Sequence, residues 1–204
     1  MVEAPIPRPI RAFVAACLPD ALLQAIITVQ SNLAQMPGVS HVRWTHREQL
    51  HLTLRFYGNV AQPEVPALER ALGHAVQGLP VPTLSVEGLG CFPSIQRPRV
   101  IWLGIGGDLS QLHQMEARIR QATVAFGSHS ETRTFQPHLT LGRIERAGAD
   151  AKRLGQVVEQ AATPAPGRWR LTELQLIQSQ LKPSGSEYTT LATMPIGRAA
   201  SPLE

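Results

Sequence analysis

The tetrapeptide His-Leu-Thr-Leu occurs twice in this chain, at residues 51–54 within HLTLRFYG (51–58) and at residues 138–141 within PHLTLGRI (137–144). A β-strand points successive side chains to opposite faces, so each copy predicts leucines on a buried face and His and Thr together on the other. Two strand steps separate the imidazole and the hydroxyl of each copy by about 7 Å, a span that suits the oxygens of one phosphate.

The surroundings of the two copies repeat as well. Hydrophobic periodicity and Gly/Pro boundaries predict a strand, a helix, the His-x-Thr strand, a second helix and a third strand in each half. The first half has strands at 10–17, 49–57 and 82–90, with helices at 20–36 and 63–78. The second half has strands at 98–105, 134–143 and 168–178, with helices at 108–126 and 149–162, and residues 186–193 add a closing strand.

An internal repeat with an offset of 87 residues, from His51 to His138, indicates a duplicated lobe and not a solenoid. We therefore expect an α+β fold of two pseudo-symmetric lobes, built from duplicated β-α-β-α-β units with antiparallel or mixed sheets around a central cleft. The domain limits that follow are a tail at 1–9, a single bilobal domain at 10–196 with repeat halves at about 10–90 and 98–178, and a tail at 197–204.

Two facing His-x-Thr strands suggest phosphoryl chemistry. If the lobes face each other, His51 and His138 flank one site from opposite sides, as an in-line displacement at phosphorus requires of its acid and base. Thr53 and Thr140 then donate to the non-bridging oxygens. The scheme needs no metal and no cofactor. The residues alone do not decide which histidine is the acid, because the two motifs are nearly symmetric.

Composition limits the other possibilities. The chain has 204 residues, of which 43% are hydrophobic and 17% charged, with a net charge of +4 and a pI of about 9.7. Its apolar stretches are shorter than a membrane span and its start lacks a signal-peptide core, so we expect a cytoplasmic protein. The two cysteines lack metal-ligand spacing, and we expect both to be buried and reduced. Gly104-Ile105-Gly106-Gly107 lacks the pattern of an ATP-binding loop.

Further segments extend the pattern over residues 10–195. With them the chain resembles the two-histidine (2H) phosphoesterase superfamily, and within it the RNA 2′,3′-cyclic phosphodiesterase branch, also called 2′–5′ RNA ligase. The segments are RAFVA (11–15), VRW (42–44), LHLTLRFYG (50–58), PRVIWLG (98–104), FQPHLTLGR (135–143) and SQL (179–181), with Gly185, Tyr188 and Leu191.

The resemblance implies hydrolysis of RNA 2′,3′-cyclic phosphate ends to a 2′-phosphate, with reversible 2′–5′ ligation. It implies His51 as proton donor and His138 as proton acceptor, and it adds Arg143 as a phosphate ligand. Strict alternation turns Arg143 away from the cleft unless the strand bulges near Gly142. Weaker candidates for RNA contact are Arg43, Phe56, Arg99 and Tyr188, with Arg97, Trp44 and Phe92 behind them.

The alternatives are a non-catalytic RNA-end-binding protein and a phosphodiesterase for small cyclic nucleotides. The presence of both histidines and both threonines favours an enzyme over a binding protein, because arginine would serve binding better. We expect the partner to be RNA with a 2′,3′-cyclic phosphate terminus. We expect no membrane association, no obligate protein partner and a monomeric state.

Overall fold

The computed structural model describes residues 8–39, 41–129, 134–145, 149–161, 165–182 and 185–197. The tails predicted at 1–9 and 197–204 lie outside these ranges, except for residues 8, 9 and 197. The strands are β1 (Ile10–Cys17), β2 (Val42–Trp44), β3 (His51–Val60), β4 (Thr83–Phe92), β5 (Val100–Gly107), β6 (His138–Ile144), β7 (Gly167–Arg170), β8 (Glu173–Lys182) and β9 (Gly185–Pro195). The helices are α1 (Asp20–Ala34), α2 (Val65–Val76), α3 (Leu109–Ala122) and α4 (Ala149–Gln160).

The strands of the described residues form one curled sheet in which every pairing is antiparallel. The order is β7-β4-β5-β6-β3-β1-β8-β9, and β2 pairs with β6. Strands β3 and β6 pair at a single position, Leu52 with Leu139, so the sheet divides there into two halves. The predicted α+β class, with two lobes around a cleft, is confirmed, and of the two sheet types considered the antiparallel one is present.

The third strand of each sequence half lies in the opposite half of the sheet. Strand β4 forms a hairpin with β5, and β8 pairs with both β1 and β9. Strands joined by a short loop tend to pair, and this explains why β4 lies beside β5 although β4 belongs to the first half of the sequence. The sheet halves are therefore β3-β1-β8-β9, called the first lobe below, and β7-β4-β5-β6 with β2, called the second lobe.

The single strand predicted over 168–178 is wrong. The chain forms two strands there, β7 and β8, with a break at Leu171 and Thr172. Strand β7 pairs with β4 in the second lobe, whereas β8 pairs with β1 in the first. Leu171 is 1% exposed and belongs to the main hydrophobic cluster, whereas Thr172 and Glu173 after it are exposed. The apolar positions shift there from Trp169 and Leu171 to Leu174 and Leu176, and the prediction overlooked this change of phase.

The repeated leucines belong to the core, as predicted. Leu52, Leu54, Leu139 and Leu141 are at most 4% exposed and join the main hydrophobic cluster with the apolar faces of the helices. Full burial of each leucine contributes about 2 kcal/mol of stability. The expectation that both cysteines are buried is wrong for one of them. Cys91 is buried, but Cys17, the last residue of β1, is exposed.

Candidate active site

A cleft of about 360 Å³ opens where the two lobes meet. Its lining combines basic, hydroxyl-bearing and aromatic side chains, and among the described residues it holds no carboxylate. The basic and titratable members are Arg11, Arg43, Arg143, Lys182, His46, His51 and His138. The other side chains that matter below are Phe13, Trp44, Gln49, Thr53, Phe56, Thr140, Ser179, Ser186 and Tyr188.

The single β3–β6 pair places the repeated motifs around a local two-fold axis. Because Leu52 is opposite Leu139 in antiparallel register, His51 lies across from Thr140 and Thr53 lies across from His138. All four side chains share the cleft face, since the leucines between them point into the core. The two imidazoles therefore lie at opposite ends of a diagonal, with a hydroxyl beside each.

A bulge follows each motif at the equivalent position. On β3, Thr53 pairs with Ala15 and Arg55 with Val14, which leaves Leu54 as the extra residue. On β6, Thr140 pairs with Trp102 and Gly142 with Ile101, which leaves Leu141 as the extra residue. A bulge reverses the alternation beyond it, so the next cleft-facing positions are Phe56 and Arg143. Arg143 thus reaches the cleft by the route that the sequence required.

The His138 ring is oriented by the main chain. Its Nδ1 lies 2.7 Å from the carbonyl oxygen of Gln136, and because a carbonyl only accepts, Nδ1 carries the hydrogen. The neutral ring then has its free lone pair on Nε2. Burial lowers the pKa of His138, the Gln136 hydrogen bond opposes this shift, and the positive charge of Arg143 lowers the pKa further. His138 is therefore held neutral and competent as a base.

His51 lies in an aromatic recess of the first lobe. Its ring stacks on Phe13 with centroids 4.7 Å apart, and the Tyr188 ring meets it edge-on at 5.4 Å. Burial lowers the pKa of His51 to about 4, the backbone of Gln49 opposes this, and His138 lowers it further. The Gln49 backbone falls short of a well-formed hydrogen bond, since Nδ1 is buried without a partner among the described residues. A bound phosphate would place a negative charge beside His51 and so favour the protonated form of its ring.

Acid is expected to destabilise the fold through His51. Below pH 6.5 the unfolded chain takes up a proton that folded His51 does not accept until the pH falls to about 4. Stability is therefore full above pH 6.5 and is lost as the pH drops from there toward 4, by up to about 3 kcal/mol from this group. Urea unfolding at pH 7.5, 6 and 5 measures the loss. The His51→Gln variant should lose clearly less stability over this range, and an unchanged pH dependence would contradict the assignment.

Of the weaker candidates, Arg43, Phe56 and Tyr188 line the cleft, and so does Trp44. Arg99 does not. It is exposed in the loop between β4 and β5, one residue before β5 begins, and its amide donates to the Phe92 carbonyl at 2.7 Å. Phe92 meets His138 edge-on, with ring centroids 4.9 Å apart.

Sequence reasoning did not single out Arg11, Phe13, Gln49 or Lys182 as cleft residues. Strands β1 and β8 carry three of them, and the positions of these strands relative to the cleft depend on a strand order that periodicity does not reveal. Gln49 had a signal, because a glutamine precedes each motif histidine by two residues, at 49 and 136. Its side chain donates to the Ser186 carbonyl at 2.6 Å and ties β9 to the cleft.

Within the described ranges, no three His, Cys, Asp or Glu side chains are placed to share a metal ion. Within the same ranges, no helix has the length and apolar character needed to cross a membrane.

A family model described as the 2′-5′ RNA ligase superfamily matches residues 19–183, which include both His-x-Thr strands. The chain belongs to the 2′-5′ RNA ligase superfamily. Relatives include the RNA 2′,3′-cyclic phosphodiesterase of Methanothermobacter thermautotrophicus, 28% identical over 89% of this chain and 96% of the relative. Another is the RNA 2′,3′-cyclic phosphodiesterase of Thermus thermophilus, 31% identical over 89% of this chain and 87% of the relative.

Solved structures of the superfamily share the fold. The crystal structure of E. coli LigT complexed with 3′-AMP is 29% identical in sequence and has a TM-score of 0.73. The match covers 93% of this chain and 99% of LigT. LigT complexed with phosphate is 28% identical, with a TM-score of 0.70 over 94% of this chain and 99% of LigT. This superfamily member therefore has the LigT architecture over nearly its whole described length.

Proposed function

We propose that this protein hydrolyses the 2′,3′-cyclic phosphate at the end of an RNA to a 2′-phosphate and a free 3′-hydroxyl. The observation that carries the proposal is the pair of His-x-Thr motifs placed on one cleft face by the Leu52–Leu139 pair. Support also comes from relatives that are RNA 2′,3′-cyclic phosphodiesterases, and from E. coli LigT complexed with 3′-AMP and with phosphate.

In the proposed mechanism His138 accepts a proton from water, through the Nε2 that the Gln136 hydrogen bond leaves free. Water attacks phosphorus in line with the 3′-oxygen, which departs as the P–O3′ bond breaks. His51 donates a proton to that oxygen. The hydroxyls of Thr53 and Thr140 donate to the non-bridging oxygens, and Arg143 offsets their charge.

The same groups support a second displacement on the same cyclic phosphate. When a 5′-hydroxyl takes the place of water, His138 accepts its proton and the product is a 2′–5′ linkage. We propose ligation as a side activity, since only the nucleophile changes.

Incubation with a short RNA that ends in a 2′,3′-cyclic phosphate tests the hydrolysis. The expected product carries a 2′-phosphate, which phosphorus NMR identifies, and a free 3′-hydroxyl. A phosphatase specific for 3′-phosphates should leave this product unchanged. A 3′-phosphate product, or an unchanged cyclic end, would contradict the proposal. Adenosine 2′,3′-cyclic phosphate in a parallel reaction distinguishes an RNA enzyme from one that prefers small cyclic nucleotides.

Chelation is expected to leave turnover unchanged, because the imidazoles and hydroxyls of the cleft supply every proton transfer and oxyanion contact in the mechanism. The measurement is the hydrolysis rate after dialysis against EDTA, within about twofold of the untreated rate. A loss that added Mg²⁺ or Mn²⁺ restores would show that the mechanism lacks a component.

We also propose that the protein acts as a cytoplasmic monomer without an obligate protein partner. The two free cysteines, one of them exposed, are typical of a reducing compartment. The molecular mass in solution by light scattering tests the monomer, for which 22.2 kDa is expected.

A further inference from the structure

Two arginines face each other across strands β2 and β6. Arg43 is directly opposite Arg143 in the antiparallel register, and both residues are exposed and line the cleft. Like charges directly opposite each other on neighbouring strands repel and destabilise the pair. Among the described residues no carboxylate lines the cleft, and none forms an ion pair with either arginine. The pair therefore presents two positive charges that an anionic ligand can neutralise.

The strand that carries Arg43 is anchored from the core. Gln30 of α1 is 6% exposed, and its side-chain amide donates to the Leu141 carbonyl at 2.8 Å and to the Thr45 carbonyl at 3.0 Å. The Thr45 amide donates to the same Leu141 carbonyl at 2.8 Å. These hydrogen bonds tie the end of β2 to β6 beside the cleft, so the main chain of Arg43 has a fixed place next to Arg143.

The other cations of the cleft lining already have partners. Lys182 forms an ion pair across the β8–β9 hairpin. The guanidinium of Arg11 lies over the Phe56 ring, 4.3 Å from its centroid. Arg143 offsets the charge of the cyclic phosphate in the proposed mechanism. Within the described ranges, Arg43 is the cleft cation that has neither an ion pair nor a ring contact.

We infer that Arg43 binds a second phosphate of the substrate, the phosphodiester next to the cyclic end of an RNA chain. A guanidinium suits this ligand, because its planar donors form paired hydrogen bonds with phosphate oxygens. The cleft then holds two successive phosphates, the cyclic one at Arg143 and its neighbour at Arg43. The inference rests on the proposed function, from which it takes the substrate class.

The spacing along the strands suits successive phosphates. Leu141 is the extra residue of the β6 bulge, so the main chain of Arg143 lies two strand steps beyond Thr140, or about 7 Å. The main chain of Arg43 lies one strand further across, about 5 Å from that of Arg143. Successive phosphates of an RNA chain have a similar separation, which the long arginine side chains can span.

The second phosphate site bears on the choice of substrate. A nucleoside 2′,3′-cyclic phosphate has only the phosphate that reacts, so it leaves the charge of Arg43 without a counter-charge. An RNA chain brings the neighbouring phosphodiester and neutralises both arginines. The site therefore favours RNA chains over small cyclic nucleotides.

The test uses two adenosine dinucleotides that end in a 2′,3′-cyclic phosphate. They differ only in the linkage between the nucleosides, which is a charged phosphodiester in one and a neutral methylphosphonate in the other. The unmodified protein should hydrolyse the phosphodiester compound with about tenfold higher kcat/KM. Arg43→Gln should remove this difference by lowering kcat/KM for the phosphodiester compound. It should change kcat/KM for adenosine 2′,3′-cyclic phosphate by less than about twofold.

The control variant is Arg170→Gln, at an exposed arginine of β7 on the far edge of the sheet, which should leave all three values within about twofold. Salt gives a second readout. For the phosphodiester compound, the slope of log kcat/KM against log salt should become shallower by about 0.7 in Arg43→Gln. Equal losses on all three substrates would place Arg43 at the cyclic phosphate or in the fold and would overturn the inference. So would the absence of any preference for the charged linkage in the unmodified protein.

A binding measurement separates this inference from the proposed hydrolysis. Calorimetry with adenosine 2′-phosphate and adenosine 2′,5′-bisphosphate should show about tenfold tighter binding of the bisphosphate, and Arg43→Gln should abolish that preference. The preference without turnover of any cyclic ester would sustain the second phosphate site and end the hydrolytic proposal. Turnover of the cyclic esters without any preference in the unmodified protein would overturn the second phosphate site alone.

Discussion

Replacing His51 or His138 with alanine is expected to lower the turnover of a 2′,3′-cyclic phosphate by about 10²–10⁴-fold in each case. His51→Ala removes the proton that the departing 3′-oxygen needs, and His138→Ala removes the acceptor of the water proton. The double variant should lose little more turnover than the less active single variant, because the effects of residues that act in one step are not additive. Turnover of the cyclic ester under saturating substrate is the measurement.

The control for the histidine variants is His113→Ala. His113 is exposed on α3 and contacts Phe135 edge-on, with ring centroids 5.5 Å apart and no place in the cleft lining. Its replacement should leave turnover within about twofold. Near-normal turnover in either cleft variant, with the fold intact by circular dichroism, would end the assignment of that histidine.

Replacing Thr53 or Thr140 with valine is expected to lower kcat by about 10²-fold, since each change removes one hydroxyl donor from the developing charge on phosphorus. Valine keeps the shape and the β-branch of threonine, so the strand and its burial change little. Comparison of kcat with KM locates the effect, because a donor used in the transition state lowers kcat more than it raises KM.

Serine provides the matched control for the threonine variants. Thr53→Ser and Thr140→Ser keep the hydroxyl and should recover most of kcat. Thr28→Val, at an exposed position of α1 where the hydroxyl donates to the Gln24 carbonyl at 3.1 Å, should have no effect. If serine and valine lower kcat equally, the hydroxyls are not donors and the threonines serve packing.

The sequence predicts which side chains of the two motifs face the cleft, because their directions follow strict alternation. Leu52 and Leu139 point into the core, and this fixes the direction of the histidines and threonines beside them. Alternation fails beyond the bulges. It predicts the buried face for Phe56, and only the extra residue Leu54 turns that ring into the cleft. Gly142 indicated a bulge before Arg143, whereas no residue indicated one before Phe56.

Strand order is the part that the sequence conceals. Arg11 and Phe13 belong to the cleft because β1 lies between β3 and β8, and this follows from pairings between residues far apart in the chain. The crossing at Leu171 and Thr172 contains no glycine or proline, and its signal is only that the apolar positions shift from Trp169 and Leu171 to Leu174 and Leu176. Local patterns thus predict what each strand presents, and non-local pairing decides which strands meet.

Stereochemistry at phosphorus tests most directly whether two histidines act across one phosphate in a single in-line step. The substrate is a nucleoside 2′,3′-cyclic phosphorothioate of known configuration, hydrolysed in ¹⁸O-labelled water so that the product phosphorus is chiral. Direct attack of water opposite the 3′-oxygen predicts inversion of configuration. Retention would require two displacements through a covalent intermediate on the protein, and would contradict the roles of His51 as acid and His138 as base.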